Sequence, residues 1–267
     1  MKRLLLICVL ACLSACQTVQ PPPPTPIAMS AAIAANNTLI QWVRSADTIV
    51  FRADISGGQR ASTFAAKRDI PLCTIYGDNR VVWVNELGAF NIQVLYDRLP
   101  DSVIADFVAY LTVNERIYTY NSTPVPEQVG EPDAVVESIQ INVNGADHYA
   151  DAFSGWDDAW FSRVLTACRS LSTTPVLFEP SGGWMSVVEV PFDREAPLLT
   201  WDAAATGLDL PTLAQGGSAV WVTGTNAVQL WRTQNTQPSR FLYFQSDKFF
   251  AVALQVPGIS TNSPPPG

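Results

Sequence analysis

The sequence predicts an α+β fold that is mostly antiparallel β-sheet with two amphipathic helices. Three observations favour this class. Apolar residues make up 48% of the 267 residues and charged residues 15%, which is a globular composition. Runs of β-branched residues broken by turn residues recur along the chain, as they do in strands. The two segments with helical periodicity are separated by several strands, which favours α+β over α/β.

The first half of the chain contains four predicted strands. These are the β-branched or apolar runs 48–55, 72–76, 81–84 and 91–96. The second and third flank the segment Gly-Asp-Asn-Arg, residues 77–80, whose glycine and Asx residues tolerate the positive φ of a tight turn. We therefore expect these two runs to pair as a hairpin. Residues 27–46 are ambiguous between helix and strand, and 121–133, with three prolines, are predicted to be a loop.

Two segments show the 3.6-residue period of an amphipathic helix. The first places apolar side chains on one face at Val103, Ile104, Phe107, Val108 and Leu111. Asp101, just before them, is the expected N-cap. The second begins near Asp157 and places Trp160, Phe161, Val164, Leu165, Cys168 and Leu171 on one face.

The remaining runs predict further strands. Ile139, Ile141 and Val143 alternate with polar residues up to Asn144-Gly145, which is a strong hairpin signal, and 146–153 is the returning strand. The last third is expected to be almost entirely β. Its predicted strands are 183–190, 219–222, 227–232, 240–245 and 249–256, the last two pairing across Ser246-Asp247.

The N-terminus predicts export and a lipid anchor. Lys2 and Arg3 precede an apolar run of about ten residues, 4–13, which is too short to span a bilayer but typical of a signal peptide. The run ends in Leu-Ser-Ala-Cys, residues 13–16, which resembles the lipobox of bacterial lipoproteins. The resemblance implies that Cys16 receives a diacylglyceryl group and becomes the first mature residue. The alternative is an ordinary secretory signal cleaved near Ala15.

These signals divide the chain into five segments. They are a lipoprotein signal peptide (1–15), a lipid-anchored Pro-rich linker (16–36), an α+β subdomain (37–172), a mostly β subdomain (173–260) and a disordered tail (261–267). Four consecutive prolines at 21–24 favour polyproline II, a semi-rigid spacer. The expected location is the bacterial cell envelope. This is the outer membrane if one is present, because Gln17 resembles the residue after the cysteine in proteins retained there, and otherwise the outer face of the cell membrane.

The charge balance excludes one class of partner. The chain has 16 basic and 24 acidic residues, a net charge of −8, whereas phosphate-backbone binding needs a basic surface. Removal of Lys2 and Arg3 with the signal peptide leaves 14 basic and 24 acidic residues, a net charge of −10. We therefore expect no nucleic acid partner, and we expect the anchor at Cys16, not the domain surface, to bind the membrane.

Two of the five cysteines remain once Cys8 and Cys12 leave with the signal peptide and Cys16 carries lipid. They are Cys73, in a predicted strand, and Cys168, on the apolar face of the second predicted helix. An even pair in an oxidising compartment predicts a disulfide. Two buried free thiols are the alternative.

Few residues favour catalysis or a cofactor. The Gly-x-Ser-x-Gly, Ser-x-x-Lys, Walker and dinucleotide-binding patterns do not occur in the sequence. The single histidine, His148, is expected opposite Ile141 in the second hairpin as a packed or boundary residue. The segment around Asn144-Gly145 is faintly similar to a calcium loop, but its alternation favours a hairpin. We therefore predict no metal, no cofactor and no catalytic residue.

Two function classes remain. The first is a non-catalytic binding or envelope-interaction module with a protein or glycan ligand. The second is a carboxylate-dependent hydrolase of envelope polysaccharide, in which Asp157 and Asp158, beside Trp156 and Trp160, would act on a sugar. Adjacent acids at a helix start are more often solvated partners of the helix dipole, which favours the first class. An exposed tryptophan would be informative for either class.

The segment 71–83, Pro-Leu-Cys-Thr-Ile-Tyr-Gly-Asp-Asn-Arg-Val-Val-Trp, precedes a strand and a Leu-Pro-Asp helix start. Over residues 47–172 this order resembles uncharacterised exported bacterial proteins built on a Tyr-Gly-Asp-Gly hairpin and a following helix. Here Asn79 stands in place of their second glycine, and Cys73 in place of an aromatic residue. The resemblance implies a fold and no activity.

Overall fold

The computed structural model of the chain describes residues 39–57, 64–88, 91–122, 135–237 and 240–261. The predicted signal peptide, Cys16, the Pro-rich linker and residues 262–267 of the predicted tail lie outside these ranges. The fold is α+β, as the sequence predicts, and 30% of the described residues are helical and 37% are in strands. Within the described ranges, no helix has the length and apolarity needed to cross a membrane.

In the described part of the chain, the larger sheet has seven antiparallel strands in the order β6-β5-β1-β2-β3-β4-β7. Its strands are β1 (Ile49–Gly57), β2 (Cys73–Tyr76), β3 (Arg80–Gly88), β4 (Asn91–Arg98), β5 (Val135–Val143), β6 (Ala146–Asp151) and β7 (Val176–Leu177). Both predicted hairpins of this sheet are confirmed. Asn79 has φ 70° between β2 and β3, and Asn144 and Gly145 have φ 54° and 72° between β5 and β6, the conformation that Asx and glycine residues adopt most readily.

The smaller sheet has five strands in the order β10-β8-β12-β11-β9. They are β8 (Gly182–Val190), β9 (Leu198–Thr200), β10 (Val220–Thr223), β11 (Leu242–Gln245) and β12 (Lys248–Gln255). The predicted pairing of the last two strands across Ser246-Asp247 is confirmed, and both turn residues have positive φ. Only β9 runs parallel to its neighbour, β11, in this part of the structure.

The described residues form five α-helices: α1 (Asp101–Ala109), α2 (Trp160–Arg169), α3 (Ala203–Thr206), α4 (Leu210–Gly216) and α5 (Gly224–Thr236). The first two are the predicted amphipathic helices, and α1 continues into a π-helical turn, Tyr110–Asn114. The last three lie in the part expected to be almost entirely β. The predicted strand 227–232 is therefore wrong. Its apolar residues and Gln234 recur with helical spacing on the buried face of α5, at Ala227, Leu230, Trp231 and Gln234.

Asp101 does not act as the predicted N-cap of α1. The N-cap is Pro100, and Asp101 is the first helical residue. Its carboxylate instead accepts two hydrogen bonds from the Arg44 guanidinium, at 2.7 and 2.6 Å, and one from Asn79 Nδ2, at 2.5 Å. The side chain therefore ties the start of α1 to the β2–β3 turn.

The larger sheet separates two apolar cores at its centre. On one face, β1, β2 and β3 pack against α1 and α2, with the rings of Phe51 and Phe107 edge to face at 4.9 Å. On the opposite face, Tyr76, Val82 and Val94 pack with residues of the smaller sheet and α5. Because side chains alternate along a strand, the central strands contribute to both cores.

Cys73 and Cys168 form the predicted disulfide, with an S–S distance of 1.97 Å. Both cysteines are fully buried in the core on the α1–α2 side of the sheet. The bond connects the centre of the sheet, at β2, to the helix α2 that covers it.

Residues 39–48, part of the segment that was ambiguous from sequence, form neither a strand nor an α-helix. The segment lies against the β2–β3 turn at Gly77. Trp42 Nε1 donates a hydrogen bond to the Gly77 carbonyl oxygen at 3.2 Å. A Cβ atom at Gly77 would lie 2.0 Å from the Val43 carbonyl oxygen, so only glycine permits this approach.

Candidate functional site: an arginine-lined pocket

A cavity of about 460 Å³ opens beside the smaller sheet. Three stretches of chain form most of its wall: the 3-10 helix Phe64–Arg68, the end of β8 with the following residues 190–194, and residues 240–242 at the start of β11. Ala251 and Val252 of β12 complete it. We call this cavity the arginine pocket, because Arg68, Arg194 and Arg240 all line it.

The inner part of the arginine pocket is apolar and closely packed. Phe241, Leu242 and Val252 are each 5–7% exposed. Arg68 is 8% exposed, and its guanidinium lies over the Phe241 ring, 4.9 Å from the ring centroid. A cation held on an aromatic face inside the protein keeps its charge while being shielded from water.

The mouth of the pocket carries the other two arginines, and both side chains are exposed. Among the described residues, neither Arg194 nor Arg240 forms a salt bridge. The single carboxylate in the lining belongs to Asp193, whose Oδ1 accepts a hydrogen bond from the Glu195 backbone N–H at 2.9 Å. Both guanidinium groups at the mouth are therefore available to a ligand.

An aromatic surface adjoins the mouth. Phe192, which lines the pocket, is 58% exposed. Its ring lies 4.9 Å from that of Phe249, which in turn lies 5.5 Å from that of Phe244. The pocket thus combines a buried apolar interior, a cationic mouth and an exposed aromatic edge.

Most of the charged side chains in the described lining are cationic. Three cationic side chains face one carboxylate in a chain whose net charge is −8. Guanidinium groups bind carboxylates and phosphates through paired hydrogen bonds, and a concave wall concentrates their field. Among the described lining residues, Asp193 is the only one whose side chain could act as a base or nucleophile.

The predicted carboxylate pair lies on another part of the surface. Asp157 is bound to the Arg163 guanidinium through both its oxygens, at 3.1 and 3.2 Å, and this contact lowers the pKa of the Asp157 carboxyl. The Trp156 ring stacks on Trp160 at 4.7 Å, and Trp160 is 1% exposed. The four residues do not form an open aromatic cradle, because the two indole rings pack on each other.

A third carboxylate lies near this pair. Burial and the neighbouring charge of Asp158 raise the pKa of Glu137, on β5. Arg163 also contacts Glu115 Oε2, at 3.4 Å, and so joins the end of the π-helical turn to the start of α2. The carboxylates around Arg163 therefore have a structural role in addition to any chemical one.

His148 and the segment around Asn144-Gly145, the other candidates from the sequence, belong to the β5–β6 hairpin. His148 pairs with Ile141 as expected and is half-buried, and its Nε2 lies 3.1 Å from the Ile117 carbonyl oxygen. Asn142 and Asp147, from the segment faintly similar to a calcium loop, face each other across the β5–β6 hairpin. No group of metal-ligating side chains occurs among residues that the structure describes.

An exposed tryptophan occurs on the smaller sheet. Trp221 of β10 is 40% exposed, and its ring lies edge to face with Trp184 at 5.1 Å. One side of the Trp221 ring covers Gly182, where a Cβ atom would come within 2.8 Å of it. Contacts with Trp184 and Gly182 therefore cover part of the Trp221 indole.

The arginine pocket was not predicted from the sequence. Its three arginines come from a 3-10 helix, from the residues after β8 and from the residues just before β11. No local spacing in the sequence connects them. The whole chain has only 16 basic residues, so three arginines in one cavity are a large share of them. This low number was the one feature of the sequence that bears on the pocket. Comparison of the chain with protein-family models, with curated proteins and with solved structures finds no match.

Proposed function

We propose that the protein is a bacterial lipoprotein, anchored in the cell envelope through Cys16, that acts as a non-catalytic binding module. Its ligand site is the arginine pocket, and its ligand carries a negative charge. The anchor lies in the outer membrane where one is present and otherwise in the outer face of the cell membrane. The proline-rich spacer after Cys16 holds the binding domain away from the lipid.

One observation carries the binding function: three arginines line a single cavity of an acidic chain, and two of them have no carboxylate partner in the described structure. Like charges collected in one place repel each other and lower stability unless an anion joins them. The volume of about 460 Å³ falls in the range of roughly 300–1,000 Å³ typical of small-molecule sites.

Charge reversal at the mouth of the pocket tests this proposal. The full chain is reconstituted in phosphatidylcholine vesicles, and the binding of inorganic phosphate, acetate and hexyl phosphate is measured by ligand-observed NMR. We expect at least one of these anions to bind to the wild-type chain. Because Arg194 and Arg240 are exposed, the variant Arg194→Glu/Arg240→Glu should fold normally and lose this binding.

The matched control is Arg98→Glu/Arg116→Glu, which makes the same charge change at two exposed positions outside the pocket wall. The control should retain binding apart from a small salt-dependent loss. Absence of binding by every anion, or equal loss in both variants, would overturn the proposal.

The second candidate is a carboxylate-dependent hydrolase of envelope polysaccharide. The observation that favours it is that the pKa values of two carboxyl groups in this region shift in opposite directions. The hydrogen bonds from Arg163 lower the pKa of Asp157. Burial and the charge of Asp158 raise the pKa of Glu137. A general acid and an ionised carboxylate require such a difference.

Incubation of the full chain with envelope polysaccharide, followed by a reducing-sugar assay, tests the hydrolase. Turnover that disappears in Asp157→Ala/Asp158→Ala and in Glu137→Gln would establish the hydrolase and exclude the non-catalytic module. The variant Asp202→Ala, at the N-cap of α3, controls for the loss of an acidic residue elsewhere.

A further inference from the structure

We infer that the ligand of the arginine pocket is a small amphipathic anion, a phosphate or carboxylate attached to a short apolar chain or ring. The inference rests on the proposed function and narrows it to one class of ligand. The anionic group binds at the mouth of the pocket, and the apolar part lies against the interior and the adjoining aromatic edge.

The first support is the distribution of polarity within the pocket. Arg194 and Arg240 are exposed at the mouth, whereas the wall behind them carries the partly exposed apolar side chains of Phe64, Val190 and Ala251. A simple inorganic anion would use the guanidinium groups alone and leave this apolar wall in contact with water. A ligand with an apolar part removes that surface from water and gains the corresponding free energy.

The second support is the exposed ring of Phe192. Phenylalanine is usually buried, but this side chain is 58% exposed beside two cationic residues. Its contact with Phe249 fixes one side of the ring. The other side is left to cover the apolar part of a ligand whose charged group is held by Arg194.

Size and charge indicate a single free molecule and not the membrane surface. The cavity of about 460 Å³ is suited to a small molecule. The net charge of −10 left after removal of the signal peptide repels the domain from an anionic bilayer. Both features favour an individual molecule in solution over a lipid headgroup as the source of the anion.

Isothermal titration calorimetry tests the ligand class. The full chain in phosphatidylcholine vesicles is titrated with hexyl phosphate, inorganic phosphate and hexanol. We expect hexyl phosphate to bind about tenfold more tightly than inorganic phosphate, because several methylene groups leave water. Hexanol, which has no charge, should bind at least tenfold more weakly than hexyl phosphate. Phe192→Ala should weaken hexyl phosphate binding several-fold and leave that of inorganic phosphate unchanged.

The matched control is Phe153→Ala, at a phenylalanine that is 48% exposed and does not line the pocket. This variant should bind hexyl phosphate as the wild type does. Inorganic phosphate binding as tightly as hexyl phosphate would overturn the inference while the proposed function stood. Hexanol binding as tightly as hexyl phosphate would overturn the requirement for charge. If neither hexyl phosphate nor inorganic phosphate bound, the inference would fail, and if acetate did not bind either, the proposed function would fail with it.

A second arm distinguishes a free ligand from a lipid headgroup. The titration is repeated in vesicles that contain phosphatidic acid. Unchanged affinity for hexyl phosphate supports a free ligand. A marked loss of affinity would show that the headgroup occupies the pocket and would overturn the assignment to a molecule in solution.

Discussion

Cys73 on β2 and Cys168 on α2 are joined by a disulfide across the buried face of the larger sheet, with their Cα atoms 6.4 Å apart. The two cysteines are separated by 95 positions in the chain. The bond therefore restrains a long loop of the unfolded chain as well as fixing α2 to the centre of the sheet.

The variant Cys73→Ala/Cys168→Ala should lower the free energy of unfolding by about 2–5 kcal/mol, because closing a long loop reduces the entropy of the unfolded chain. Urea denaturation followed by circular dichroism measures the change. The wild-type chain with a reductant should shift in the same direction. Alkylation of both cysteines in the folded, unreduced protein would contradict the disulfide.

Replacement of Cys16 tests the anchor. In Cys16→Ser the predicted lipid acceptor is lost, so the chain should no longer incorporate labelled palmitate and should leave the membrane fraction. Cell fractionation and palmitate labelling measure this. Cys12→Ser, which changes a cysteine inside the predicted signal peptide, should behave like the wild type. Unchanged membrane retention of Cys16→Ser would argue against the anchor.

Asp54 on β1 should make stability depend on pH. Burial raises the pKa of its carboxyl to about 6, opposed by a hydrogen bond from the Ile55 backbone N–H and by the charge of Arg52. Between about pH 4 and pH 6 the folded protein keeps this proton, whereas the unfolded chain has lost it. The protonated carboxyl therefore makes its full contribution to the free energy of unfolding below about pH 4, and this contribution is lost as the pH rises through 6.

Asp54→Asn should therefore reduce the fall in stability between pH 4 and 7, and should raise the free energy of unfolding at pH 7.5 by about 1–2 kcal/mol, allowing for partial exposure. Urea denaturation at pH 4.5, 6.0 and 7.5 measures this. The control Glu195→Gln changes an exposed carboxylate and should leave the pH profile as it is. A profile for Asp54→Asn parallel to the wild type would refute the expectation.

Gly77 should not tolerate a side chain. In Gly77→Ala the new methyl group would meet the backbone at Val43 and Ser45, so that segment must move and the bond from Trp42 to the Gly77 carbonyl is strained. We expect a loss of about 1–3 kcal/mol or more in the free energy of unfolding. Thermal unfolding of Gly216→Ala, where nothing lies within 4 Å of the new atom, should show no loss.

Sequence patterns predicted the parts of the fold that depend on local chemistry. The turns at Asn79 and Asn144-Gly145 form because these residues accept positive φ, and α1 and α2 show a clear helical period over their buried faces. Cys73 and Cys168 could be paired by elimination, once the other three cysteines had been assigned to the signal peptide and the anchor.

Two kinds of error had physical causes. The run 227–232 is short, and its apolar residues fit both a strand and one face of a helix. The segment is helical because Leu230 and Trp231 pack together in the core beside the smaller sheet, and a local pattern does not show this contact. The arginine pocket depends on long-range contacts. Arg68 and Arg240 come together because the 3-10 helix packs on β12 beside β11, which no local pattern of the chain expresses.

The alternation of the central strands has a consequence for how the chain can be divided. Tyr76, Val82 and Val94 face residues that come from beyond position 182. A fragment that ended at 172 would present these side chains to water as a flat apolar surface, and such surfaces on a sheet promote aggregation. Proteolytic removal of the C-terminal third should therefore yield an insoluble product, because the larger sheet needs the C-terminal residues to cover one of its faces.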